Sequence, residues 1–438
     1  MLKYGQYLKR GAFVLDHRAL RGWKMYDWAN SAFATTMMAA VLPVYYSDVA
    51  GVHLAGNRAE TYWGYTQSIA MLLVAVLSPI LGAIADYTGS KLRFLSVFML
   101  LGVLSCVFMA FAGEGDWLLA SSLMVLGSIG FSGGNTFYDA MLADGVPQES
   151  RDRVSSQGYA YGYAGGGLLL LINVIMIQGW EKLGFPSKTF ATQMVFITVG
   201  IWWLLFSVPI LRWVKETRRP TDHLGKGEII RAGFVRIGKT FSVIKRYPEL
   251  LKYMAAFWFF NDGINTVIVM ATIYGAGIGI ETSDLIIALL ITQFVGWPCT
   301  ILFGRLAGRF GSKRMLYYSL MIYVLIVCLG FFMTSAIHFY ALAIMVGLVQ
   351  GGSQAVARSI YANLVPASRT GEFFGFLALS SKFSSFAGPF VFSVVGTITG
   401  SSRVAILSLI AFFIIGIVLL WKVNLEKGAS EAAEEEMA

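Results

Sequence analysis

Charge is what this chain lacks most. Only 13% of its 438 residues are Asp, Glu, Lys or Arg, against about 25% in an ordinary soluble domain. Hydrophobic residues make up 56%, too many to clothe a soluble surface, so the composition points to repeated membrane crossing. Cysteine is scarce as well. Cys106, Cys299 and Cys328 stand in apolar stretches without metal-ligand spacing, which makes them small packing residues rather than a redox or zinc framework. His17, His53, His223 and His338 are scattered, so no metal centre is expected. Lys3, Lys9 and Arg10 open the chain without a clean apolar run and cleavage site, so no cleaved signal peptide is read there. Gly165-Gly166-Gly167 lies inside an apolar stretch rather than after a strand, which rules it out as a nucleotide loop. No cofactor and no enzymatic activity are expected. The net charge of +9 sits between apolar stretches, so topology explains it better than nucleic acid does.

What is present is a series of spans. A crossing needs about 20 mostly apolar residues. Twelve such stretches are legible, at about 20–48, 60–85, 92–112, 117–143, 153–178, 190–213, 250–276, 284–304, 315–335, 338–364, 372–397 and 402–423. The fold class is therefore an all-α polytopic membrane protein. Arg58, Lys182, Lys188 and Arg403 stand beside one set of connections, and Lys382 lies inside a span. The remainder of the 34 Lys and Arg residues gather at the other connections and at both chain ends. That asymmetry places both termini in the cytoplasm, in a plasma or bacterial inner membrane or, in a eukaryote, a vacuolar one.

The longest connection divides the spans six and six. The expected organisation is a cytoplasmic segment 1–19, a first half 20–213, a linker 214–249, a second half 250–423 and an acidic, disordered tail 424–438. In the linker, Ile230, Phe234, Ile237, Phe241 and Ile244 recur at helical steps, with Arg231, Arg236, Lys239, Lys245 and Arg246 between them. That pattern predicts an amphipathic helix lying on anionic membrane lipids.

The halves repeat one another. Asp27, Asn30 and Ser31 share one helix face, and so do Asp262, Asn265 and Thr266, each set inside an apolar span. Gly133-Gly134-Asn135-Thr136 in span four answers Gly351-Gly352-Ser353-Gln354 in span ten. The loop from Gly82 through Asp86 and Gly89 to Arg93 answers the loop from Gly304 through Gly308, Arg309 and Gly311 to Arg314. Parallel six-span repeats place a substrate site between the halves near the bilayer midplane.

Those loops resemble the signature loop between helices 2 and 3 of the major facilitator superfamily. Gly308 stands where an acid is usual, which implies a weaker second latch. Within the superfamily the chain resembles the vacuole-effluxer family, whose fungal relatives are associated with amino-acid export. The resemblance runs through Tyr26–Thr36, Thr136–Asp144, Gly158–Leu171, Asn261–Thr266, Thr292–Arg314, Gly347–Ser359 and Glu372–Gly388. It implies the twelve-helix major facilitator fold, a cavity lined by helices 1, 4, 7 and 10, and gating at Gly82, Asp86, Gly89, Arg93, Gly304, Arg309 and Gly311, with Asp86 facing residues 369–372.

Ionisable groups in mid-span are expensive and normally pair or face water. Asp27, Asp139, Asp262 and Arg358 fall on those four helices, one each, and Lys382 lies well inside the eleventh span. With Asn30, Asn135, Asn265 and Gln354 they form the candidate substrate-binding or ion-coupling set, in which Asp262 is the expected partner of Lys382. Tyr159, Tyr161 and Tyr163 offer aromatic walls, of which at most two can face one cavity. Two rows, Gly158, Gly162, Gly166 and Ser381, Ser385, Gly388, are expected to pack against the opposite half. The resulting reading is a monomeric secondary transporter of a small polar solute, foremost an amino acid, exported and coupled to protons. A sugar or organic-anion transporter and a non-transporting receptor or scaffold are the alternatives.

Overall fold

The computed structural model describes residues 16–54, 58–216, 244–277 and 279–437. The side chains of Asp86 and Lys382, both within helices, lie outside that description. Asp16 starts the first helix by accepting the amides of Arg18 at 2.9 Å and Ala19 at 2.7 Å, which satisfies donors that a helix start leaves open. Helix α1 then runs from His17 to Ala50 in four segments. An α-helical His17–Ala32 leads into π-helical Phe33–Ala40, a short α-turn Leu42–Tyr45 and a π-helical Tyr46–Ala50. Pro43 lacks the amide hydrogen that would continue a regular ladder, and wide turns take up the mismatch.

Eleven further crossings follow. The first half adds α2 Arg58–Thr88, α3 Lys91–Met109, α4 Trp117–Gly145, α5 Arg151–Gln178 and α6 Lys188–Trp213. The second half consists of α7 Pro248–Gly277, α8 Thr282–Phe310, α9 Ser312–Phe331, α10 Ala336–Leu364, α11 Thr370–Thr399 and α12, in two pieces, Ser402–Leu407 and Leu409–Trp421. The amphipathic linker expected at 214–249 lies mostly outside the described residues. Its described start, Glu216, accepts the amide of Leu92, and burial holds its carboxyl above the usual range.

The halves meet along two flanks, α2 against α11 and α5 against α8. One end of the bundle, here the linker face, carries the α2–α3, α4–α5, α6–α7, α8–α9 and α10–α11 connections. At that end the halves are tied together. Arg151 at the start of α5 donates to the carbonyls of Ala143 and Val146 in its own half and to Ala362 O at 2.6 Å and Asn363 Oδ1 at 2.9 Å in the other. Lys91, 2% exposed, pairs with Asp144 at 2.7 Å and donates to the Thr370 hydroxyl across the interface. Ser312 donates to Asp152.

The expected gating glycines sit in this seal. A Cβ on Gly82 would lie 2.2 Å from Gly371 O, and one on Gly304 would lie 2.3 Å from Ser156 Cβ. Gly89 and Gly311 turn the chain at φ +63° and +94°, a backbone region that side chains disfavour. Arg93 and Arg309 are exposed, with Arg309 over the Phe310 ring. Beside Gly308 there is open space.

One element differs from expectation. The acidic tail is not a disordered strand of chain, because Leu425–Met437 forms helix α13. Asn424 donates its amide to Glu249 at 2.8 Å, Glu249 in turn donates its amide to Glu431, and a Cβ on Gly428 would lie 2.4 Å from Leu364. Composition favours disorder only where nothing apolar is buried. Here a glycine lets the helix press on α7 and α10, and Ala432 is buried.

Candidate functional site

The cavity between the halves has a charged floor. At 1.5 Å per residue, Asp139 and Arg358 stand about 9 Å above the linker-face ends of α4 and α10, and Asp27 about 15 Å above the start of α1. Arg358 comes from the second half, yet all its partners belong to the first. Its Nη1 meets Asp139 Oδ1 at 2.7 Å, its Nε donates to Ser155 Oγ at 2.9 Å, and its Nη2 donates to Ser155 O at 3.0 Å. Asp27 Oδ2 lies 3.8 Å from Nη2 and accepts the Tyr138 hydroxyl at 2.6 Å. The guanidinium also faces three rings, Tyr159 at 4.4 Å, Trp23 at 5.2 Å and Tyr138 at 5.5 Å, a favourable arrangement for a desolvated cation.

Two lobes open above this floor. The first, about 340 Å³, is bounded by α1, α4, α5, α8 and α10, and its polar lining includes Asp27, Asn30, Ser31, Gln293, Gln350 and Tyr163. The second, about 480 Å³, lies toward α2, α4, α7 and α11, where Asn261, Asn265 and Ser381 line it among Phe257, Phe374 and Leu377. Phe131, Asn135, Asp139, Tyr159, Gln354 and Arg358 border both. Asn30 Nδ2 donates to Asn135 Oδ1 at 2.5 Å, so the amide of Asn135 is oriented before any solute arrives.

Eight of the nine candidate residues have described side chains, and seven of them converge on this cavity. Asp262 does not. It is 1% exposed and accepts the backbone amide of Gly388 at 2.8 Å and the Thr266 hydroxyl at 3.4 Å. The reason lies in α11, where Pro389 follows Gly388 inside the helix. Proline removes its own donor and frees the carbonyl one turn before it, which loosens the turn around Gly388, and Gly388, where a Cβ would lie 2.9 Å from Asp262 Oδ1, lets the carboxylate reach its amide. Cavity positions on α7 pass instead to Asn261 and Asn265. Lys382, the expected partner of Asp262, is the residue whose side chain lies outside the described set.

The glycine rows also differ from expectation. Gly158, Gly162 and Gly166 pack against α1 of their own half, where a Cβ would meet Asp27 Oδ2 at 2.5 Å, Ser31 Oγ at 2.5 Å and Thr35 Cγ2 at 3.0 Å. In the second row Gly388 packs on Thr266 and Asp262 and Ser381 accepts from Asn261, all of one half, while the side chain of Ser385 lies outside the described residues. Small residues there let a helix close on the polar stripe of a neighbour, and the opposite half is met instead by Ser155, Ser156 and Tyr163. Tyr159 and Tyr163 face the cavity, while Tyr161 is 37% exposed and meets Trp28 edge-on. Sequence reasoning missed Trp23, Tyr138 and Ser155. Only the spacing of Tyr138, beside Asp139 on α4, could have hinted at its role.

Residues 51–146 and 143–433 match the family described as vacuole effluxer Atg22 like. An uncharacterized MFS-type transporter of Bacillus subtilis, YxiO, is 39% identical over 404 residues, covering 91% of this chain and 93% of the relative. Autophagy-related protein 22 of Coccidioides immitis is 22% identical over 539 residues, covering 95% and 88%. The crystal structure of FucP, a major facilitator superfamily transporter in the outward conformation, is similar with a TM-score of 0.70. That match has 12% identity and covers 93% of this chain and 98% of the other, so it speaks for the fold alone. The twelve helices in two halves thus form the major facilitator fold. The chain is a multi-pass membrane transporter rather than an enzyme, and it belongs to the vacuole effluxer Atg22-like family.

Proposed function

We propose that this transporter exports a small zwitterion, foremost an amino acid, by alternating access coupled to protons, with both termini in the cytoplasm. The observation that carries this reading is the charged floor. Arg358 is only 5% exposed and most of its donors are engaged, whereas the Asp139 side chain is 27% exposed beside it. An incoming ammonium group meets Asp139 and Asp27 directly. A carboxylate reaches the remaining guanidinium hydrogens by sharing Arg358 with Asp139, as a charge-assisted bond. The amides of Asn30, Asn135, Gln350 and Gln354 then orient the solute. The linker face carries most of the basic connections, which supports its cytoplasmic side, and the ties from Arg151 and Lys91 correspond to a state sealed there. Substrate that engages Arg358 loosens the side chain that joins the halves at the cavity floor, which links binding to rearrangement.

Counterflow in proteoliposomes tests this. Liposomes loaded with single unlabelled amino acids should accumulate the labelled form, and Asp27→Asn and Arg358→Lys should lose that uptake. Accumulation should rise with an imposed pH gradient. Exchange of sugars or of organic anions without exchange of any amino acid would overturn the reading.

A further inference from the structure

A single amino acid occupies one lobe of this cavity and leaves the other without a role. Each lobe alone, about 340 and 480 Å³, falls in the range of a complete small-molecule site, about 300–1,000 Å³. Their chemistries differ. The first has Asp27 and a run of polar side chains. The second has Thr136, Asn261, Asn265 and Ser381 set among Phe257 and Leu377, and its described charged residues are the shared Asp139 and Arg358. Asn261 donates to Ser381 Oγ at 3.2 Å and Thr136 to the carbonyl of Ser132, so this wall is polar and already held in place.

The junction has matching chemistry. Asn135 on α4 and Gln354 on α10 border both lobes. Because Asn135 Oδ1 already accepts from Asn30, its amide hydrogens are the part left to donate to a carbonyl. Gln354 on the facing helix can accept an N–H. A peptide bond presents that carbonyl and that N–H on opposite edges.

We propose that the second lobe is a subsite for the second residue of a dipeptide, so that dipeptides are also carried and bind more tightly than single amino acids. The inference rests on the reading of Asp27, Asp139 and Arg358 as the binding charges. The N-terminal ammonium sits by Asp27 in the first lobe, the peptide bond crosses between Asn135 and Gln354, and the carboxylate meets Arg358 from the second lobe. One added residue lengthens the solute by about 3.3–3.6 Å, which carries it from the first lobe into the second.

The experiment is competition against labelled alanine binding to the purified full-length protein, with alanine, alanyl-alanine and N-acetyl-alanine as competitors. Alanyl-alanine should compete about tenfold better than alanine, the effect of one or two added hydrogen bonds, and N-acetyl-alanine, without the ammonium, should compete poorly. Ala378 on α11 lines the second lobe and not the first, so Ala378→Phe narrows that lobe and should remove the advantage of the dipeptide while leaving alanine unchanged. Ala378→Leu serves as the milder variant if the first does not fold. Equal competition by alanine and alanyl-alanine would overturn the proposal and leave the amino-acid reading standing, as would equal loss of both in the Ala378 variants. Absence of saturable binding by either would overturn both.

Discussion

The stripe Asp27, Asn30, Ser31 and the stripe Asp262, Asn265, Thr266 are the same pattern on equivalent helices, and they do different things. Asp27 looks into the cavity, held by Tyr138 and close to Arg358. Asp262 looks into α11 and holds the amide of Gly388. The difference is made by the neighbouring helix. Helix α5, beside Asp27, has no proline between Arg151 and Gln178, so its amides find partners within the helix. Helix α11, beside Asp262, carries Pro389 and has an amide to offer. A repeated motif therefore fixes the position of a carboxylate but not its task, which is set by whichever unpaired donor lies nearest.

The sharpest way to break this contrast is Arg358→Leu. It leaves Asp139 and Asp27 facing each other in a dry floor, and losing one partner of a buried pair costs about 3–5 kcal/mol. Thermal unfolding of the purified protein should show a loss of that size together with loss of counterflow. Asp27→Asn should act on binding alone. The hydrogen bond from Tyr138 survives, but a charged partner worth about 1.5–3 kcal/mol to an ammonium is gone, so alanine affinity should fall at least tenfold with little change in melting temperature. Asp262→Leu should show the opposite profile. It deprives the Gly388 amide of its acceptor, a loss of about 1–3 kcal/mol in stability, while solute affinity in detergent is kept. Adding Pro389→Ala should return part of that stability, because residue 389 then donates to the carbonyl of residue 385 and the turn becomes regular. If Asp262→Leu abolished binding at unchanged stability, the two stripes would be alike after all.

The lysines of the two signature loops give the finest comparison. Lys91 ties the halves together through Asp144 and Thr370, whereas Lys313 donates to the carbonyls of Trp421 and Val423 in its own half. Lys91→Ala should raise the labelling, from the linker face, of cysteines introduced into the cavity lining. Lys313→Ala should not, and should cost only about 0.5–1.5 kcal/mol of stability.

Much of this was legible in the sequence. The twelve spans and their six-and-six division follow from apolar length and repeats, and the expense of charge in a membrane marks Asp27, Asp139 and Arg358, whose place on cavity helices the family resemblance implies. What stayed hidden depends on helix rotation. Asp262 turned away because of Pro389, a residue on another helix and far along the chain. Ser155 became a partner of Arg358 through both its hydroxyl and its carbonyl, and nothing in the order of residues along α5 singles it out from Ser156 beside it. The tail helix escaped because one glycine, Gly428, made docking possible where the surrounding composition argued for none.

The seal at the linker face has a genetic consequence. Much of what the second half offers to it is main chain: Ala362 O to Arg151, Ala355 O to Ser155 and, beside Gly82, Gly371 O. No codon change can delete a carbonyl. Missense lesions that loosen the seal should therefore cluster on the donor side, at Arg151 and Ser155, while the acceptor helices tolerate side-chain exchange wherever bulk allows. Second-site suppressors of a transporter jammed in this state should map mostly to the first half of the chain, although the two halves share the interface equally.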